Sequence, residues 1–151
     1  MSHLNFQLVT PERTLLDEEI DSVSCPTSMG QITVLPGHAP LVATLISGEL
    51  TTRLGNKETP MHVAGGFVEI KQGNTIVILA DAAEHAYELD LSRAEEAAKR
   101  AQETLAQITP KDEMYAAVAA SLERNLSRIR VARKHSHNRH SPITSEGVLE
   151  E

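Results

Sequence analysis

Short apolar runs separated by turn residues fill roughly the first ninety positions, a pattern typical of β-strands. Leu4, Phe6 and Leu8 alternate with polar neighbours, which is the two-residue period of a half-buried strand, and Pro11 ends the run. Glycine-containing turns such as Pro36-Gly37 separate the later runs. The further predicted strands are 20–24, 31–35, 41–46, 49–54, 61–64, 67–71, 75–80 and 83–89. This spacing predicts a β-sandwich or barrel of about ten short strands.

The pattern changes near Asp90, after which apolar positions recur every three or four residues and no glycine occurs up to residue 134. This period predicts an amphipathic helix. Asp90 is one candidate for its N-cap, and Ser92 with Glu95 as a capping box is the alternative. The apolar positions of this helix are Ala94, Ala97, Ala98, Ala101 and Leu105.

A second helix is predicted to start at Thr109 as N-cap with Pro110 as its first residue. Its predicted apolar stripe is Met114, Val118, Leu122, Leu126 and Ile129. An alanine-lined first helix allows close antiparallel packing but buries little large aliphatic surface, so we expect weak docking of the pair. The predicted domains are a sandwich over 1–89, a helical hairpin over 90–134 and a disordered tail over 135–151.

Charge and composition narrow the classes of function. The 21 acidic residues outnumber the 14 basic ones, and a net charge of −7 argues against binding to nucleic acid. The basic residues concentrate in 92–134, which holds nine of them against six acidic residues. The longest apolar run, Ile76–Ala80, is far shorter than the ~20 residues of a membrane-spanning helix. One cysteine, Cys25, allows no internal disulfide and indicates a reducing compartment.

No catalytic motif is evident: the chain lacks a glycine-rich phosphate loop, a nucleophile elbow and a paired-cysteine motif. His38 could act as a general base, but a single loop histidine is more often a turn or contact residue. His135, His137 and His140 lack neighbouring carboxylates or thiolates, so we expect no metal there. Cys25 is expected to be a buried, unreactive thiol. We therefore expect a protein that is not an enzyme and requires no cofactor.

Four segments carry a family resemblance. They are 35–42 (Leu-Pro-Gly-His-Ala-Pro-Leu-Val), 64–70 (Ala-Gly-Gly-Phe-Val-Glu-Ile), 79–84 (Leu-Ala-Asp-Ala-Ala-Glu) and 89–94 (Leu-Asp-Leu-Ser-Arg-Ala). In this order and spacing they resemble the epsilon subunit of bacterial F-type ATP synthases, over residues 3 to about 133. The family's β-sandwich followed by two helices agrees with the pattern above. One departure is Gly30–Thr33, where the family often has Gly-Glu-Leu-Gly.

The resemblance implies a non-catalytic subunit of the rotating central stalk, peripheral on the cytoplasmic face of the bacterial membrane, in a synthase driven by protons or sodium ions. Its sandwich would bind the gamma subunit and touch the c-ring. The residues implied at these contacts are Ser28, Met29, Gly30, Gln31 and His38. A tight Pro-Gly turn without any partner is the alternative explanation for the segment at His38. A free-standing nucleotide-sensing or adaptor module is the alternative function.

The basic second helix has two explanations. Arg124, Arg128 and Arg130 would reach the alpha/beta catalytic head from an extended hairpin and inhibit ATP hydrolysis, as the resemblance implies. The alternative is a solvated face that interacts favourably with the helix dipole.

Regulatory ATP is also implied by the resemblance, because some family members bind it between their domains. The candidate residues here are Glu84, Leu89, Asp90, Arg93, Ala94, Arg100, Arg124 and Arg128. If the helices are antiparallel, these arginines could converge on a triphosphate. Otherwise Asp90 caps the helix and Arg93 pairs locally.

Overall fold

A computed structural model describes residues 2–136, in which ten β-strands precede two α-helices, and this confirms the predicted fold class. The strands are β1 (Leu4–Val9), β2 (Thr14–Ile20), β3 (Ser22–Thr27), β4 (Gly30–Val34), β5 (Leu41–Leu45), β6 (Gly48–Leu54), β7 (Lys57–Val63), β8 (Gly66–Lys71), β9 (Thr75–Ala80) and β10 (Ala83–His85). A 3₁₀ turn (Ala86–Glu88) leads to α1 (Leu91–Leu105) and α2 (Tyr115–Ser136).

The strands form one continuous sheet in the order β10-β7-β6-β3-β5-β8-β9-β1-β2, with β4 paired to β3. Neighbouring strands are antiparallel except β1 and β9, which are parallel. The sheet folds over on itself as a sandwich that approaches a barrel, and its inner faces share one aliphatic core. The largest fully buried side chains there include Phe6, Leu50 and Ile78.

The sequence pattern missed one strand and extended another. The edge strand β2 was not predicted, because Asp17, Glu18 and Glu19 face solvent and leave little apolar alternation. The predicted strand over 83–89 ends at His85, since the chain then turns through the 3₁₀ segment Ala86–Glu88.

The N-cap of α1 is Asp90, whose carboxylate accepts a hydrogen bond from the backbone N–H of Arg93 at 3.1 Å. The predicted start of the second helix at Thr109 and Pro110 is wrong, because α2 begins at Tyr115. The carbonyl of Thr109 accepts from the N–H of Asp112, whose carbonyl in turn accepts from Tyr115. Two successive turns therefore replace the expected first turn of helix.

The predicted apolar stripe of α2 is only partly buried. Ile129 is buried, whereas Met114 and Leu126 are exposed. Asn125 and Ser127 are buried in their place. This exchange matters because α2 packs against the sheet as well as against α1. The predicted tail over 135–151 lies outside the described residues from 137 onward, and α2 itself continues to Ser136.

Candidate functional site

A cavity of about 440 Å³ opens where β10, the 3₁₀ turn and both helices meet. Its lining residues are Glu84, Glu88, Leu89, Asp90, Arg93, Ala94, Ala97, Arg100, Asn125 and Arg128. Seven of the eight residues implied for regulatory ATP lie on this lining, and Arg124 does not. Glu88, Ala97 and Asn125 were not predicted, because their place in the cavity depends on how the helices pack.

The arginines of the cavity differ in their contacts. Arg128 donates from Nε to Glu84 Oε1 at 2.7 Å, and from Nη1 to Asn125 Oδ1 at 3.4 Å. Within residues 2–136, the guanidinium groups of Arg93 and Arg100 form neither an ion pair nor a hydrogen bond. Local pairing of Arg93, the alternative from the sequence, is therefore absent from the described chain. Two exposed cations in a concave site can attract an anion.

Glu84 joins this cavity to the sheet. Its Oε1 lies 3.5 Å from His62 Nδ1, which is long for a hydrogen bond, and 2.7 Å from Arg128 Nε. His62 and Arg128 favour the charged carboxylate and partial burial opposes them, so the pKa of Glu84 is lowered from its usual 4.5. The ion pair between Glu84 and Arg128 is the first polar link between the sandwich and α2.

His62 of β7 forms the second link. Its side chain is fully buried, and Nε2 makes a short hydrogen bond with Ser127 Oγ of α2. Ser127 Oγ also donates to the carbonyl of Arg124 at 3.1 Å. This contact joins residues 65 positions apart, so no local sequence pattern could have indicated it.

Glu49 of β6 forms the third link. Its carboxylate accepts from Lys134 Nζ at 2.9 Å and lies 2.8 Å from His135 Nε2. Burial acts to raise the pKa of Glu49, but the contacts with Lys134 and His135 outweigh it and the pKa is lowered from 4.5. His135 thus contacts a carboxylate of the sheet. Its neighbours His137 and His140 lie outside the described residues.

The residues implied for partner contacts lie at the two ends of β5. The loop Ser28–Gln31 adjoins one end, where the N–H of Ser28 donates to the carbonyl of Thr44 at 2.9 Å. The turn at His38 precedes the other end, where the N–H of Gly37 donates to Asn74 Oδ1 at 2.8 Å. Both segments are exposed, and Met29 is 94% exposed.

An exposed apolar patch lies between these segments on the outer face of the sheet. Val42, Phe67 and Leu79 are 68%, 56% and 54% exposed, on β5, β8 and β9 respectively. Phe67 and Leu79 are direct cross-strand neighbours. Val42 lies opposite the exposed Glu69 and is the diagonal neighbour of Phe67, so Phe67 and Leu79 are the directly adjacent pair. An apolar surface that faces water is a candidate contact for another protein. We name Val42, Phe67 and Leu79 the outer patch.

Cys25 lies in the sandwich core, away from these surfaces. Burial raises the pKa of its thiol to about 12, so the reactive thiolate is scarce at neutral pH. His38 is exposed, and its Nδ1 contacts the carbonyl of Ala39 at 2.7 Å. Within residues 2–136, neither α1 nor α2 qualifies as a membrane-spanning helix.

Two family profiles match the chain in succession. Residues 3–86 match the β-sandwich domain of the ATP synthase delta/epsilon chain, and residues 87–133 match its long α-helix domain. The chain belongs to the ATP synthase epsilon-chain family. The two matched segments meet where the 3₁₀ turn leads into α1, so the family's two domains correspond to the sandwich and the hairpin described above.

Bacterial relatives in this family match over most of their length. The ATP synthase epsilon chain of Dehalococcoides mccartyi is 41% identical over 134 residues, which are 89% of this chain and 95% of that protein. The epsilon chain of Geobacter metallireducens is 39% identical over 131 residues, 87% of this chain and 94% of that one.

Solved structures confirm the fold at lower identity. A chain of the mitochondrial ATP synthase of Euglena gracilis superposes with a TM-score of 0.75 at 19% identity, covering 91% of this chain and 82% of that one. A chain of the Tetrahymena thermophila mitochondrial ATP synthase, from a central-stalk and c-ring structure, gives a TM-score of 0.58 at 16% identity. It covers 89% of this chain and 97% of its own length.

Proposed function

We propose that this chain is the epsilon subunit of a bacterial F-type ATP synthase, a non-catalytic part of the rotating central stalk that joins the gamma subunit to the c-ring. Its place is peripheral, at the cytoplasmic face of the membrane. The observation that carries the proposal is the succession of both family domains along one chain. Chains of similar fold belong to ATP synthase assemblies that contain the c-ring.

The outer patch supports a protein partner on the sandwich. Three large apolar side chains face water on three adjacent strands, and a partner that covers them removes that area from solvent. We assign the patch and the turn at His38 to the gamma subunit. The loop Ser28–Gln31, at the opposite end of β5, is assigned to the polar loops of the c-ring.

The test is capture of the gamma subunit and c-ring of the same bacterium by the full chain and by a chain truncated after Asp90. Both should bind, because the sandwich has its own core.

Phe67→Glu should weaken binding at least tenfold, since it buries an unpaired charge at the contact. Lys57→Glu is the matched control, because Lys57 is exposed on β7, away from the patch. Full-strength binding by Phe67→Glu would contradict the assigned surface, and a chain that captures neither partner would favour a free-standing adaptor.

Inhibition of ATP hydrolysis by the released hairpin is the second part of the proposal. Arg124 and Arg130 are exposed on docked α2, whereas Arg128 is bound to Glu84. The three arginines implied by the resemblance therefore divide into two groups. Arg124 and Arg130 are available to acidic surfaces of the catalytic head in either state, and Arg128 becomes available after release.

The double variant Arg124→Gln/Arg130→Gln should raise ATP hydrolysis by the assembled complex several-fold. The difference from wild type should shrink in salt, because the Debye length falls from about 10 Å at 0.1 M to about 3 Å at 1 M. Lys99→Gln on α1 is the control with one lost charge outside α2. Equal hydrolysis by double variant and wild type at low salt would contradict the inhibitory role.

Regulatory ATP is a second candidate function, favoured by the cavity and by Arg93 and Arg100, whose guanidinium groups have no partner within residues 2–136. A volume of about 440 Å³ falls within the usual 300–1,000 Å³ of small-molecule sites. If ATP binds only when the hairpin is docked, ATP at a hundredfold excess over its Kd would stabilise the docked state by about 2.7 kcal/mol. Calorimetric titration with millimolar ATP should show heat that Arg93→Ala abolishes and Lys99→Ala preserves. No heat with the wild-type chain would refute the site.

A further inference from the structure

The polar contacts between α2 and the sheet lie in the second half of the helix. In the described chain, the hydrogen bonds and ion pairs from α2 side chains to the strands run from Ser127 to His135. The first half packs on α1 instead, where Leu122 lies against Ala94 and Ala98. The described residues that α2 buries belong to the two hairpin clusters and not to the sandwich core. Polar contacts therefore attach α2 to the sheet.

These contacts follow a row of side chains across three strands. Glu84 on β10, His62 on β7 and Glu49 on β6 are direct cross-strand neighbours, so their side chains share one face of the sheet. The ends of this row lie two strand spacings, or about 9.6 Å, apart. Arg128 and Lys134 are separated by about 9 Å along the helix, at about 1.5 Å per residue. Helix α2 thus crosses the strands with Arg128 on Glu84 and Lys134 on Glu49.

The β6 end of the row holds the last turn of α2. Glu49 Oε2 accepts from Lys134 Nζ at 2.9 Å, and Glu49 Oε1 lies 2.8 Å from His135 Nε2. The hydroxyl of Thr51, two residues further along β6, also donates to Oε1 at 3.2 Å. Because this last contact lies within the strand, it orients the carboxylate without help from α2. We name Glu49, Lys134 and His135 the C-terminal clasp.

The C-terminal clasp is a contact of charged and polar groups at the edge of water. The pKa of Glu49 is lowered from 4.5, so its carboxylate is ionised at neutral pH. Lys134 is 66% exposed, and a cavity of about 310 Å³ opens beside the three side chains. Water can therefore replace these contacts when they open, so they form and break at a small net cost in free energy.

The other attachments of α2 lie nearer to the segment that joins the hairpin to the sandwich. Val131 and Ala132 pack on Ala86 and Leu89, in and next to the 3₁₀ turn that leads into α1. Glu84, which binds Arg128, precedes this turn on β10. A hairpin that pivots on the turn keeps these groups close together. The C-terminal clasp, two strands away on β6, is the contact that holds the end of the helix.

We infer that the C-terminal clasp sets how often the hairpin leaves the sheet: α2 stays docked while Glu49 holds Lys134 and His135, and is released more often without this contact. Lys134 and His135 lie just past residues 87–133, the part of the chain that matches the family's long α-helix domain. The device that controls docking is thus completed by a helical turn outside the family match. If the proposed inhibitory role holds, loss of the clasp increases inhibition of ATP hydrolysis.

The test reverses the charge of Glu49 in the full chain and measures release of α2 by thiol labelling. Val131→Cys carries a thiol that is buried while α2 is docked, and Arg130→Cys gives the exposed reference rate. Glu49→Lys should raise the ratio of the two rates on the order of tenfold, because attraction to the end of α2 becomes repulsion. An unchanged ratio would overturn the inference.

Exchange of the two charges separates the clasp from a general effect on the fold. Glu49→Lys/Lys134→Glu restores a pair of opposite charges and should bring the ratio back to within about threefold of wild type. Glu69→Lys is the matched control, because it makes the same change in net charge at an exposed site on β8 and should leave the ratio unchanged. If the double variant is released as often as Glu49→Lys alone, Glu49 acts through the sheet and the clasp is wrong.

Lys134→Gln covers the case in which Glu49→Lys does not fold, because Lys134 is an exposed helix residue. It should raise the ratio about threefold, as expected for loss of an exposed ion pair, and an unchanged ratio would again disprove the clasp. The labelling uses no ATP synthase complex, so failure to capture gamma would disprove the proposed function and leave the clasp intact. In an assembled complex, a Lys134→Gln chain that is released more often but inhibits no more strongly would contradict the inhibitory role alone.

Discussion

In the sandwich, sixteen buried residues of the described chain form one core of mostly large aliphatic side chains, whereas the hairpin has two small clusters rich in alanine. The hairpin clusters are separate from the sandwich core. Val131 and Ala132 of α2 pack on Ala86 and Leu89 of the connecting segment. Contact with the sheet itself is made by Glu49, His62 and Glu84 with their polar partners on α2.

This difference predicts a sandwich that stays folded and a hairpin that can be released. A fully buried Leu, Ile or Phe side chain contributes about 1.5–3 kcal/mol, which water cannot replace. A released ion pair or hydrogen bond is largely replaced by bonds to water, so its net contribution is about 1 kcal/mol. We therefore expect α2 to leave the sheet at a lower cost in free energy than unfolding of the sandwich.

Loss of a core aromatic side chain should lower the stability of the protein most. Phe6→Ala should lower the free energy of unfolding of the sandwich by about 3–5 kcal/mol, because it removes apolar burial and leaves a cavity. Urea denaturation followed by circular dichroism measures this value.

Ile129→Ala in α2 is the matched test of the hairpin. Its cost should be about 2 kcal/mol or less and should appear as faster hydrogen exchange in α2, with the unfolding midpoint of the sandwich unchanged. If Ile129→Ala lowers the sandwich midpoint as much as Phe6→Ala does, the two regions unfold as one cooperative unit. The proposed difference between sandwich and hairpin would then be wrong.

A glycine in the family-like segment should give a loss of stability second to that of Phe6→Ala. Gly66 has φ of +119°, and a Cβ there would overlap the backbone oxygen of Leu79 and lie 2.8 Å from the Cα of Ala80. Gly66→Ala should therefore cost about 3 kcal/mol or more, from backbone strain together with separation of β8 and β9. Gly73→Ala, at φ of +90° in open space, isolates the strain and should cost about 1–2 kcal/mol. Equal costs at both positions would show that close strand packing is not the reason for Gly66.

The sequence predicted the sandwich well because its information is local. Alternation such as that of Leu4, Phe6 and Leu8 specifies a buried face without knowledge of the partner strand. The edge strand β2 was not predicted, because its exposed acidic run has no such alternation of apolar and polar residues. The N-cap Asp90 could be predicted from the sequence, because capping depends only on the next three residues. The start of α2 was misplaced because Asp112 and its turns compete with a Thr-Pro start.

The docking of α2 could not be predicted for a different reason. Glu49 meets residues 85 and 86 positions away, and His62 meets Ser127 at 65. Such pairs follow from strand register and helix placement, which no motif encodes. The cavity residues were mostly anticipated through the family resemblance, whereas Asn125 and Glu88 became visible only with the fold.

Acid should loosen the end of the hairpin by the smallest amount. The pKa of Glu49 is lowered in the docked state, so its stabilisation is present above about pH 4.5 and is lost as pH falls through the lowered value. Because Glu49 is partly exposed to solvent, the loss should be about 1 kcal/mol or less. Val131 is buried in docked α2 and Arg130 is exposed, so the ratio of the thiol-labelling rates of Val131→Cys and Arg130→Cys measures release of α2. This ratio should rise several-fold between pH 5 and pH 3. Glu49→Gln should show a raised ratio already at pH 5 and a smaller further rise.

Asp21→Asn is the control and should behave like wild type in α2, because Asp21 accepts from the N–H of Gly55 within the sandwich. If Asp21→Asn loosens α2 as much as Glu49→Gln does, acid acts through the sandwich as a whole, and the hairpin has no separate acid response.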